Sequence, residues 1–113
     1  MIETVIRDYL KVRAPFAVLM ETPAGGQAPP YAVIQKTGSG MVDGVVFQAT
    51  LAIQSFGATL YEAAQTNELI KALMAGAVAL PEVARVRLNS DYDYTDTASK
   101  KYRYQAVFNI IHY

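Results

Sequence analysis

A chain of 113 residues, 52% hydrophobic and 18% charged, suits one folded domain with its own core and favours folding over disorder. Ten basic residues balance ten acidic ones, so the whole chain carries no electrostatic pull toward nucleic acid. Cysteine is absent, which excludes disulfides, thiol nucleophiles and cysteine metal sites.

Ile2, Val5, Ile6, Tyr9 and Leu10 fall at helical spacing, with Glu3, Arg7, Asp8 and Lys11 on the other face. They predict a short amphipathic helix that ends before Pro15. Charges from the third residue onward interrupt the apolar core that a signal peptide needs. The longest apolar run, Ala72 to Leu80, is far below the roughly 20 residues that span a bilayer. A soluble protein made in the cytoplasm is expected.

Phe16 to Glu21 suggests a short edge strand, followed by an exposed proline- and glycine-rich loop, TPAGGQAPP. The Gly25-Gly26 pair does not match a phosphate-binding loop, which needs G-x-x-x-x-G-K-[ST] between strand and helix. Tyr31 to Lys36 is rich in β-formers. Thr37 to Gly44, TGSGMVDG, is expected as the flexible tip of a hairpin. Met41 and Val42 in that tip are either incidental apolar residues of a mobile loop or a contact that orders against a partner subunit.

From Val45 the alternation is regular. Val45, Phe47, Ala49, Leu51 and Ile53 share one face, with Gln48, Thr50 and Gln54 on the other. Thr59, with Glu62 three residues on, signals a helix start. Ala63, Thr66, Ile70, Leu73, Met74 and Ala77 make its buried stripe, and Gly76 and Pro81 frame its end. Val83 to Asn89 alternates again, with Arg85 and Arg87 on one face. After the polar turn DYDYTDTAS, a last strand from about Lys100 puts Tyr102, Tyr104, Ala106, Phe108 and Ile110 on one side. Lys101, Arg103, Gln105 and Asn109 take the other. The order α-β-β-β-α-β-β predicts a single α+β domain over residues 1–113, an antiparallel sheet with helices packed on one side.

No catalytic constellation stands out. His112 is the only histidine, without a serine or cysteine nucleophile motif or a second histidine for zinc. Asp91, Asp93 and Asp96 cluster, but an EF-hand loop counted from Asp91 needs glycine and glutamate where Asp96 and Tyr102 stand. A solvated turn opposite Lys100 and Lys101 is the simpler reading. Tyr92, Tyr94, Lys101, Tyr102, Arg103 and Tyr104 resemble a stacking platform for nucleic acid, yet cross-strand pairing explains the tyrosines and the aspartates neutralise the cations. Arg85, Arg87 and Arg103 could form a row of charge, either solvated in a monomer or a polar contact surface in an oligomer. No cluster points to a nucleotide, haem or flavin cofactor.

Four stretches carry a family resemblance: the helix MIETVIRDYL, the loop and strand PPYAVIQKTGSG, the strand and helix VVFQATLAIQSFGATLYEAAQTNELIKALM, and the closing DYDYTDTASKKYRYQAVFNIIHY. Together they resemble the tail terminator (tail completion) proteins of long-tailed bacteriophages and prophages. The resemblance implies a non-enzymatic structural protein of the phage tail, without cofactors. It implies an α+β subunit that assembles into a ring, commonly a hexamer. The ring would cap the tail tube and offer the surface to which the head docks. Partners would be other copies, the tail-tube protein and the head-completion or neck protein, with no membrane and no sequence-specific nucleic acid. Met41, Val42, Arg85, Arg87 and Arg103 are the interface candidates that the residues themselves suggest. The alternative is a small-ligand-binding or enzyme-accessory domain with a pocket between helix and sheet, lined by Tyr61, Tyr102 and Tyr104. An enzyme acting through His112 and the aspartates is the third reading.

Overall fold

The computed structural model describes all residues, 1–113. The chain folds as helix α1 (Ile2–Arg13), strands β1 (Ala17–Leu19), β2 (Tyr31–Asp43) and β3 (Val46–Gly57), helix α2 (Leu60–Ala75), a short 3-10 turn (Gly76–Ala79), and strands β4 (Val83–Asp93) and β5 (Tyr102–His112). This is the expected α+β order. The five strands form one sheet in the order β1-β2-β3-β5-β4.

Four strands are antiparallel, as the alternation predicts. The sheet is mixed because β1 pairs parallel to β2, through Ala17, Val18 and Leu19 beside Tyr31, Ala32 and Val33. The proline-rich loop brings the chain back to start β2 alongside the start of β1, and that path sets the direction.

Both helices cover one face. Alternate residues of the strands point toward them: Ala32 and Ile34 from β2, Ala49, Leu51 and Ile53 from β3, Ala106, Phe108 and Ile110 from β5. Ile2, Ile6, Tyr9 and Leu10 of α1 meet them, with Ile70 and Met74 of α2. The Tyr9 hydroxyl donates to the Leu73 carbonyl at 2.7 Å and ties the two helices together.

The start of α2 follows its sequence signal. The Thr59 hydroxyl accepts from the Glu62 N–H at 3.1 Å, and Glu62 Oε1 accepts from the Ala58 N–H at 2.7 Å. Two donors that no helical carbonyl can reach are thereby satisfied. Gly57 lets this turn lie against the sheet, since a Cβ there would fall 2.8 Å from the Glu62 carbonyl carbon and press on the Ala63 nitrogen.

One expected element is different. Thr37 to Gly44 is not a loop: β2 runs through Asp43, and its outer half pairs with β3 from Gly38↔Thr50 to Asp43↔Val46. The turn shrinks to Gly44 and Val45. The glycines and serine of this stretch are weak strand formers alone, but β3 supplies the hydrogen-bonding partner that overrides propensity. Bulges at Thr37 and Val42 absorb the irregularity.

A candidate assembly surface on the open face of the sheet

The sheet face turned away from the helices divides into three zones. Near the start of β2, Tyr31 and Phe56 stack at 4.7 Å between ring centroids, with Val33 beside them. The proline-rich loop borders this zone and encloses a cavity of about 310 Å³, lined by Pro23, Pro29, Tyr31, Phe56, Lys101 and Tyr102, among others. Burial pushes the Tyr31 hydroxyl above its ordinary pKa, and the Arg103 charge offsets part of that rise.

The middle zone is a ladder of amides and hydroxyls. Gln54 donates to Gln105 at 3.0 Å, Gln105 donates to the Tyr92 hydroxyl at 2.6 Å, and Thr50 donates to Asn109 at 3.3 Å. These bonds fix the side chains without covering them with apolar cover.

The third zone, toward the β2–β3 turn, holds Arg85 and Arg87. The two stand two residues apart on β4, so both project from the open face, beside Gln48, Asn109 and Ile111. Both are exposed, and neither has a carboxylate within 4 Å.

Arg103 does not join them. It lies six residues from Asn109 along β5, and Asn109 is the partner of Arg87, so about 20 Å of strand separates the two arginines. Its Nε donates to the Tyr94 carbonyl at 2.7 Å, and its guanidinium lies 4.7 Å from the Tyr94 ring centroid and 5.7 Å from that of Phe56. The three arginines share a face, but only Arg85 and Arg87 form a pair.

Met41 and Val42 sit at the outer end of β2, 68% and 59% exposed. Met41 pairs with Phe47, and Phe47 pairs with His112, so these three side chains form a row across the helix-side face at this end. Val45 in the turn and Met1 are exposed as well. The His112 ring stacks on Phe47 at 5.8 Å, and its Nδ1 lies 3.2 Å from the Tyr113 carbonyl oxygen. The aspartates are far from it in register.

Those aspartates part company in the structure. Asp91 turns toward α2, where it accepts from the buried Asn67 at 3.3 Å and from Lys71 at 3.3 Å. Hydrogen bonds from Lys71 to Glu68 and then to Asp91 hold its ammonium above its ordinary pKa. Asp93 accepts from the Thr95 hydroxyl and N–H, and Asp96 from the Ala98 and Ser99 N–H groups. Bonds from Thr95 hold Asp93 below its ordinary pKa, and bonds from Ser99 and then Ala98 do the same for Asp96. The burial of Asn67 runs against its residue type, since asparagine is ordinarily exposed, but its spacing from Ala63 and Ile70 places it on the buried face of α2.

None of the principal cavities is lined by Tyr61 or Tyr104. Tyr61 is 73% exposed, and Tyr102 lines the cavity on the opposite face. No helix is long and apolar enough to cross a membrane. No protein-family model and no curated protein matches the sequence.

Proposed function

We propose that the chain is a structural subunit of a long-tailed phage or prophage virion, of the tail-terminator kind. Copies assemble into a ring that ends the tail tube and presents a docking surface to the head. The observation that supports this most is the sheet itself. Its open face carries an ordered polar ladder and two unpaired arginines, and beside it stands an exposed apolar end at Met41, Val42 and Val45. Exposed apolar groups rimmed by polar ones are the usual makeup of a contact surface between proteins. The order α-β-β-β-α-β-β agrees with the family resemblance.

The test is the purified chain mixed with the tail-tube protein of the same phage or prophage. Light scattering should give multiples of 12.4 kDa, and added chain should arrest tube growth. A strict monomer that leaves tube length unchanged would overturn the reading.

The cavity under the proline-rich loop favours a second reading, a small-ligand-binding domain. Its size is at the lower end of the ~300–1,000 Å³ typical of ligand sites, and Tyr31 and Phe56 give it an aromatic wall. Lys100 and Lys101 on its rim would favour an aromatic anion. Anilinonaphthalene sulfonate should then bind one per chain with rising fluorescence, and Phe56→Ala should abolish it. Equal binding to both proteins would remove this reading.

A further inference from the structure

The sheet has two unpaired edges. β1 covers β2 only from Tyr31 to Val33, so the edge of β2 from Ile34 to Asp43 has no strand beside it. β4, at the other side of the sheet, has no strand beyond it along its whole length. Such edges offer rows of free backbone N–H and C=O groups, and proteins ordinarily block them with lysine, proline, bulges or a covering element; here the bulges flank the open stretches and leave them regular. The stretch between the bulges, Gly38 to Met41, has no lysine or proline, and all of its residues are exposed.

We propose that copies of this chain join head to tail, with β4 of one copy adding to the outer half of β2 of the next, so that one sheet runs continuously around the assembly. The proposal rests on the ring-forming reading given above and names the contact that builds the ring.

Four observations favour this occupant. Each edge has one regular stretch of four residues between two bulges: Gly38–Met41 on β2, between bulges at Thr37 and Val42, and Arg85–Leu88 on β4, between bulges at Ala84 and Asn89. The two stretches lie at the same level of the sheet. Ser39 pairs with Ala49, Ala49 with Ile110, and Ile110 with Val86. β2 and β4 also run in opposite directions, since each step β2-β3-β5-β4 is antiparallel. A head-to-tail repeat that carries the sheet forward therefore brings β4 antiparallel to β2 with the levels matched.

Side-chain room agrees. With Ser39 opposite Val86 of the neighbour, Gly38 and Gly40 fall opposite Arg87 and Arg85. Neither glycine has a side chain to crowd the guanidinium stem. Two β4 edges meeting each other would instead set arginines side by side, which disfavours that pairing. A contact between two different edges repeats from copy to copy, as a ring requires, whereas pairing of two β2 edges stops at two copies.

Because the chain has no cysteine, the contact can be read by introduced thiols. Ser39→Cys and Val86→Cys are placed in one full-length chain, with Ser39→Cys plus Leu88→Cys as a second pair, because Leu88 is more exposed and on the same face. Circular dichroism checks folding, and a short bismaleimide links neighbouring thiols. The expected result is a denaturing-gel ladder of dimer, trimer and higher species from each double variant, with only monomer from each single variant. A covalent dimer from Ser39→Cys alone would show β2 pairing with β2 and overturn the proposal. Wild-type rings by light scattering with no ladder from either folded double variant would overturn it while leaving the ring reading intact. A wild-type chain that stays monomeric would overturn both.

Discussion

Ser39 and Val86 occupy one level of a single sheet, at its two unpaired edges, joined through Ala49 and Ile110. The helices hold that sheet from one side only, and the apolar side chains beneath it are closed over by α1 and α2. The packing that stabilises the fold and the open edges proposed to associate are therefore different surfaces, and substitutions can separate them.

At the outer end of β2, Met41 is exposed on an edge that no strand covers. Met41→Lys places a hydrated charge where a neighbour would pack, the same device by which natural edges resist pairing. Its effect on the isolated subunit should stay within about 0.5 kcal/mol, as for surface positions in general. Urea unfolding should show an unchanged midpoint, while light scattering should show a shift to smaller species.

Gly57 closes β3 against the first turn of α2. In Gly57→Ala the new methyl meets backbone atoms of Glu62 and Ala63, which cannot rotate aside as a side chain would. Overpacking of this kind costs about 1–3 kcal/mol. The loss should appear as a lower urea midpoint at unchanged slope.

Asp91 links β4 to α2 through Asn67 and Lys71. Asn67 is 1% exposed, and its Oδ1 already lacks a partner. Asp91→Ala removes the acceptor of its amide N–H and should cost about 1–3 kcal/mol, the penalty of a buried donor left unsatisfied. Asp91→Asn keeps an acceptor there and should cost less. Chemical unfolding of the two variants at neutral pH checks the order.

The turn between β4 and β5 should show its own pH signature. Asp93 is held below its ordinary value of 3.8 by the Thr95 hydroxyl first and the Thr95 N–H second. A carboxyl with a depressed folded pKa adds stability that is present above the unfolded value and lost as pH falls through the folded one. Thr95→Ala removes the hydroxyl, so the Asp93 pKa should rise toward 3.8. The stability deficit of that variant should be full at neutral pH and fade below the unfolded value. Carbon-detected NMR titration of the Asp93 carboxyl reads the shift directly.

The sequence announces most of this architecture, because helix and strand periodicities differ and this chain keeps them cleanly. Ile2, Ile6, Tyr9 and Leu10 mark α1, and Ala49, Leu51 and Ile53 mark the buried side of β3. The outer half of β2 was hidden because pairing with β3 decides it, and no local property of Thr37 to Asp43 reports a partner strand. The direction of β1 depends on the path of the loop after it, which three residues cannot encode. The separation of Arg103 from Arg85 and Arg87 follows from the register of β4 on β5, and alternation gives the face of a residue without its level. Asp91, Asp93 and Asp96 look like one cluster in the chain, but the bulge at Asn89 reverses the alternation of β4 and turns Asp91 toward α2, while Asp93 and Asp96 cap the turn beyond.

The central claim is that this chain is a ring-forming subunit that stops a tail tube. The most direct measurement is negative-stain electron microscopy of tail-tube protein polymerised with and without the chain, paired with the mass of the chain alone by light scattering. The account predicts closed rings at a multiple of 12.4 kDa and short tubes capped at one end by such a ring. Tubes of undiminished length beside a chain that remains at 12.4 kDa at every concentration would contradict it.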